Sequence, residues 1–120
     1  MKIVVTAQGP EPDAEVDPRF GRARALVSYD TESGAFEAFD NAEGAAATQG
    51  AGVAAAANVA RIGAGVLVTG SCGPKAFRAL AAAGVRVMLC SEGTVRDAAR
   101  KFEAGTLVEA EGPNVAGHGR

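Results

Sequence analysis

Residues 2–7, Lys-Ile-Val-Val-Thr-Ala, form an apolar, β-branched run of the kind a buried strand requires. A long stretch with three prolines, Pro10, Pro12 and Pro18, follows and predicts a loop over residues 8–22. Residues 25–30 and 35–40 read as two strands joined by the turn signal Thr31-Glu32-Ser33-Gly34, a hairpin. Glu37 and Asp40 suit an edge strand. After a small-residue loop over 41–49, Val53, Ala56, Ala57 and Ala60 recur at i, i+3, i+4 and i+7 and predict a helix over 50–62, ended by Gly63 and Gly65.

The remaining chain alternates strand and helix. Residues 66–69 are a short apolar strand, and Gly70-Ser71-Cys72-Gly73 is a tight turn into a helix that Pro74 starts well. Phe77, Leu80, Ala81 and Gly84 give that helix its period, with Gly84 as its C-cap. Residues 85–90 form the next strand. Thr94 and Asp97 fit a capping box, and Val95, Ala98, Ala99 and Phe102 form the apolar stripe of the helix it opens. Leu107-Val108 adds a short extended piece. Residues 109–120 show no pattern and predict a mobile tail, so the domain is expected to span 1–108. The order β-β-β-α-β-α-β-α predicts an α/β fold: a mainly parallel sheet carrying helices, with at least one antiparallel strand from the hairpin.

A chain of 120 residues, 48% apolar and 22% charged, suits one folded domain and excludes wholesale disorder. The 27 alanines and 16 glycines let helices approach a sheet closely. No apolar run reaches the roughly 18 residues of a membrane span, and the apolar start is too short for a signal peptide. A net charge of −2 offers nucleic acid no global attraction. Cys72 and Cys90 make no disulfide framework, so the expectation is a cytoplasmic protein with free thiols.

Ligands of open α/β sheets bind beyond the carboxyl ends of the parallel strands. Three loops should meet there: residues 7–22, residues 70–75 and residues 90–93. The last two lead into helices, whose first N–H groups and partial positive charge suit an anion. Arg19, Arg22 and Arg24 add charge, and Glu11, Asp13, Glu15 and Asp17 offer them competing surface pairs. Cys72, before a helix N-terminus, should have a lowered pKa and is the candidate thiolate. Cys90 reads as a small buried hydrophobe, and His118, the only histidine, as an exposed tail residue. The chain has no P-loop, no glycine fingerprint after its first strand, no C-x-x-C and no acids in its strands at 2–7 and 66–69. A Ser-His-Asp hydrolase would have to draw its histidine from the tail.

Four segments resemble a known family. Asp17-Pro18-Arg19-Phe20-Gly21-Arg22-Ala23 is similar to its D-x-x-F-G-R-A element. Gln49-Gly50-Ala51-Gly52, before an alanine-rich helix, is similar to its H-G-A-G segment. Thr69-Gly70-Ser71-Cys72-Gly73-Pro74-Lys75-Ala76-Phe77 resembles its T-G-x-x-G-P-x-A-F turn, and Gly112-Pro113-Asn114-Val115 resembles the tail of one subgroup. These are elements of the dinitrogenase iron–molybdenum cofactor biosynthesis proteins, and most of all of the orange-protein subgroup, which carries a molybdenum–copper sulfide cluster. The likeness covers nearly the whole chain. Gln49 stands where many relatives have His, so no role of that histidine carries over. Histidine-rich tails also occur among relatives, whereas this chain has only His118.

The resemblance implies a ribonuclease H-like fold with a five-stranded mixed sheet, order 3-2-1-4-5, strand two antiparallel. It implies a bacterial or archaeal non-enzyme that holds or delivers a metal–sulfur cofactor. The expected ligand is an anionic molybdenum–copper sulfide cluster, or a related metal–sulfur group, bound without covalent attachment. Arg19, Arg22 and Lys75 would supply charge, and Gly21, Gly70, Ser71, Cys72 and Gly73 backbone approach and N–H groups. Phe20 and Pro74 would be apolar walls, and Cys72 is the one candidate for a direct metal bond. A recipient or regulatory protein is the expected further partner, with no nucleic acid and no membrane. The alternative is a small regulatory or scaffolding domain without a cofactor that uses the loop arginines as protein contacts. A degenerate nucleic-acid binder is disfavoured by the acidic balance and the scarcity of aromatics.

Overall fold

Side-chain alternation along the strands divides the core into two layers, one on each face of a sheet. The computed structural model describes residues 1–41 and 50–114. The strands are β1 (Lys2–Ala7), β2 (Ala25–Asp30), β3 (Phe36–Asp40), β4 (Val66–Thr69), β5 (Arg86–Leu89) and β6 (Val108–Glu109). The helices are α1 (Ala51–Ile62), α2 (Pro74–Ala82) and α3 (Val95–Glu103), with a 3-10 turn at Phe20–Arg22. Val4, Leu26, Leu67 and Val87 pack with Ala55, Ala56 and Val59 of α1 and with Ala76 and Leu80 of α2. Ile3, Val5, Val27, Val66, Val68 and Met88 form the other layer, with Val95 and Ala98 of α3.

The strand order is β3-β2-β1-β4-β5-β6. β1, β4 and β5 run parallel, β2 is antiparallel to β1 and to β3, and β6 is antiparallel to β5. The expected order is thus present, but the sheet has six strands rather than five. The added strand is the extended piece foreseen near residue 107. Leu89 pairs with Val108 and Met88 with Glu109, and Arg86 holds Glu109 in an ion pair of 2.7 Å.

The expected mobile tail therefore needs correction over residues 109–114. Glu109 lies within β6, Ala110 donates to the Val87 carbonyl at 2.8 Å, and Asn114 bridges to Cys72. A two-residue strand gives too short a pattern to read from sequence. His118 and Gln49 lie outside the described residues.

α1 departs from its expected face. Ala51, Ala55, Ala56 and Val59 are buried, whereas Val53 is 44% exposed and Ala57 and Ala60 face solvent. Alanine at so many positions leaves the apolar period nearly degenerate, and one valine does not define the face. α3, with one alanine pair among charged residues, keeps its expected stripe: Val95, Ala98 and Ala99 are buried. In α2, Ala76 and Leu80 are buried and Phe77 packs half-buried against the same layer.

Candidate functional site

The loop after β1 crosses from one layer of the core to the other, over the carboxyl ends of the central strands. Its first half belongs to α3. Ala14 and Pro12 carbonyls accept from the N–H groups of Val95 and Arg96 at 2.9 and 2.8 Å. The Thr94 hydroxyl accepts from Asp97 N–H at 3.1 Å, and Asp97 Oδ2 accepts from Thr94 N–H at 3.1 Å, completing the expected capping box. That bond from Thr94 holds the Asp97 carboxyl below its ordinary pKa. The first-turn donors of α3 are therefore consumed within the protein.

The loop's second half is anchored by a buried polar cluster. The Thr6 hydroxyl donates to the Asp17 carbonyl at 2.6 Å and lies 2.9 Å from Thr69 Oγ1. Asp17, itself buried, accepts from Arg19 N–H at 3.0 Å, with the Arg19 Nε at 3.6 Å. Ser71 then fastens the two loops together. Its hydroxyl donates to the Pro18 carbonyl at 2.9 Å, and its own carbonyl accepts from Phe20 N–H at 3.2 Å.

The 3-10 turn, the start of α1 and the start of α2 enclose a cleft of about 660 Å³. Arg19, Phe20, Gly21 and Arg22 line one side, Gly50, Ala51, Gly52 and Val53 a second, and Ser71, Gly73, Pro74, Lys75 and Ala76 a third, with Asn114 at the edge. Neither helix has a side-chain cap: Gly50 is the N-cap of α1 and Gly73 that of α2. Two helix N-termini, carrying partial positive charge, thus open on one cleft that also holds the cationic side chains of Arg19, Arg22 and Lys75. Its walls include the ring of Pro74 and the side chains of Ala51, Ala76 and Val53.

Eight of the ten expected site residues line this cleft: Arg19, Phe20, Gly21, Arg22, Ser71, Gly73, Pro74 and Lys75. Gly70 does not; it is pressed against Pro18, whose α-carbon would lie 2.9 Å from a β-carbon there. Cys72 is 2% exposed and packs into the α1–α2 layer behind the turn. Its expected lowered pKa is a correction: burial pushes the thiol up to about 11. Desolvation of the thiolate outweighs the pull of the helix terminus.

The residues at 90–93 do not join the cleft. Cys90, Ser91 and Glu92 line a separate hollow with Lys101 and Leu107, and Cys90 packs in the α3 layer, on the sheet face opposite Cys72. Arg24 lies apart as well, beside Gln8 and Asp40. The α1 N-terminus takes the place expected for α3. Two signals pointed that way: the Thr94–Asp97 box, which occupies α3's own donors, and the bare glycine at position 50. Among the described residues, no three His, Cys, Asp or Glu side chains come together as a metal-ligand group, and no helix there is long and apolar enough to cross a membrane.

Comparison with known proteins agrees with this architecture. The apo form of the orange protein from Desulfovibrio gigas superposes with a TM-score of 0.91 at 49% identity, covering 95% of this chain and 96% of that one. A Thermotoga protein assigned as NifB superposes at 0.84 with 32% identity, over 97% and 98% of the two chains. A Methanocaldococcus jannaschii protein assigned as a dinitrogenase, 10% identical over 94% and 97% of the chains, shares the fold at a TM-score of 0.70. Among curated proteins, none matches. The family model described as dinitrogenase iron-molybdenum cofactor matches residues 1–105, which run from β1 to just past α3 and include both uncapped helix starts. By that match, the chain belongs to the dinitrogenase iron–molybdenum cofactor family.

Proposed function

We propose that the cleft binds an anionic metal–sulfur cluster, of the molybdenum–copper sulfide kind, and that the protein holds and carries it without transforming it. The observation that carries this reading is the convergence of two uncapped helix N-termini with Arg19, Arg22 and Lys75 around apolar walls. Backbone N–H groups and guanidinium or ammonium charges favour a multiply negative guest. The alanine, valine and proline surfaces favour one that is large, polarisable and weakly hydrated. A cluster already saturated with sulfide brings its own metal ligands and requires none from the protein, which fits the buried, high-pKa Cys72. The molybdenum–copper identity rests on the likeness to the orange proteins. In the same reading the protein is cytoplasmic, and its partner is a protein that receives the cluster.

The test is reconstitution. The protein is mixed with copper(I) and tetrathiomolybdate and passed through a desalting column, and its visible spectrum is recorded. A sulfide-to-metal charge-transfer band that travels with the protein at a fixed stoichiometry supports the reading. A colourless protein fraction overturns it.

A further inference from the structure

The strongest unused feature of the site lies beyond the residues that the family model matches, which end at 105. Asn114 returns to the 70–72 turn and bonds it four times. Its N–H donates to the Cys72 carbonyl at 2.8 Å, and the Cys72 N–H donates to both the Asn114 carbonyl, at 3.2 Å, and Oδ1, at 3.0 Å. Its side-chain Nδ2 donates to the Gly70 carbonyl at 2.9 Å. Pro18 and Ser71 hold the turn from the other side. Cys72 is followed at once by Gly73 and Pro74, the start of α2, and Asn114 itself borders the cleft.

We infer that Asn114 is a positioning residue: by clamping residues 70–72 it fixes the N-terminus of α2 in the orientation that receives the anion. This rests on the function proposed above. The residue type follows from the bonds. One side-chain group must donate to a carbonyl while its neighbour accepts from an N–H, and a short primary amide does both. Aspartate would set an acceptor against the Gly70 carbonyl and place a negative charge at the rim of an anion cleft. Alanine would leave the Gly70 carbonyl and one Cys72 bond unmade.

The experiment uses the full chain in two arms. In the protein without cluster, amide hydrogen exchange at Cys72 is compared between wild type and N114A, with Val4 and Val5 of β1 as internal reference. In the second arm, both are titrated with copper(I) and tetrathiomolybdate and followed by the visible band. Loss of the clamp is expected to speed Cys72 exchange about tenfold, leave Val4 and Val5 unchanged, and weaken cluster uptake about tenfold. N114D is expected to weaken uptake further than N114A, because it sets a carboxylate oxygen against the Gly70 carbonyl and a negative charge at the rim of the cleft. Should N114A fail to fold, N114S carries the same comparison. Unchanged exchange at Cys72, or uptake within twofold of a wild type that does bind, overturns the role of Asn114 alone. A wild type that takes up no cluster overturns the functional reading and, with it, the part of Asn114 in affinity.

Discussion

Gly21 and Gly52 touch through their backbones: a β-carbon on Gly21 would lie 2.7 Å from the Gly52 nitrogen and 2.9 Å from its α-carbon. Gly52 in turn lies so close to α2 that a β-carbon there would meet that of Ala76 at 2.9 Å. The three walls of the cleft are therefore stacked on one another with only the Ala76 methyl between them. Gly21→Ala has to push the 3-10 turn off backbone, which cannot rotate away as a side chain would. Overpacking of this kind costs about 1–3 kcal/mol. We expect a melting temperature lower by roughly 4 °C for each kcal/mol in a domain this size, together with weaker cluster uptake. An unchanged melting temperature in Gly21→Ala would show that the turn has slack.

Thr94→Ala should separate the third loop from the site. The capping box closes α3, whose first-turn donors are already bonded to residues 12, 14 and 94. Loss of the cap is expected to cost about 1 kcal/mol of stability and to leave cluster affinity unchanged. Thermal melting and reconstitution on the same preparation check both halves. A drop in affinity beyond that of equally destabilised variants would bring the α3 terminus back into the site.

Much of this arrangement was legible because β-branched runs, turn glycines and the Thr94–Asp97 box are local signals. They located β1, β2 and β4 at their observed bounds and predicted where α2 and α3 start. The face of α1 was not legible, since alanines at 54 to 57 look alike from every side. β6 is legible only as a short extended piece and not as a sixth strand of the sheet, because two residues carry no alternation. The Cys72 thiol is not legible for a different reason: proximity to a helix start is visible in sequence, whereas its burial in the same core layer as Val4, Leu26 and Leu67 depends on how the layers pack. The partner of the α2 start in the cleft is set by packing, since α1 lies on the same sheet face as α2 and α3 on the other, and the Thr94–Asp97 box and Gly50 are only its local hints.

Arg19 and Arg22 border the cleft from the 3-10 turn and its flank. Arg19 is held at its base by buried Asp17, so the guanidinium is oriented but solvent-exposed. Replacing both arginines by alanine is expected to weaken cluster uptake by about 10- to 100-fold at low ionic strength, as two charge-assisted contacts in a partly wet site would. Added salt should weaken the wild type toward the double variant, because exposed charges are screened over about 8–10 Å near physiological ionic strength. Titrations at low and high salt read this directly. Parallel salt dependences in the two proteins would assign the arginines to pairing within the loop instead.

Cys72 distinguishes a cradle of N–H groups and cations from a metal–thiolate bond, and its buried thiol also gives the protein a pH signature. In the folded chain burial lifts its pKa to about 11 from an ordinary value of 9.0. Between these values the unfolded chain gives up the proton and the folded chain keeps it, so the unfolded state gains and stability falls as pH rises. Below about pH 9 the effect is absent. Across two units it amounts to roughly 2–3 kcal/mol. Every other ionisable side chain is shared by wild type and Cys72→Ser. The difference between their denaturation curves at pH 8 and pH 11 should therefore isolate the thiol, the wild type losing more. Direct ligation would instead require the proton to leave on binding, so uptake would weaken steadily as pH falls below the thiol pKa. The cradle has no such proton. We expect Cys72→Ser to keep the charge-transfer band at the same position, with uptake independent of pH between 7 and 9 in both proteins. A lost or displaced band in a variant whose circular dichroism is native would establish a sulfur–metal bond and replace the cradle with a ligated cluster.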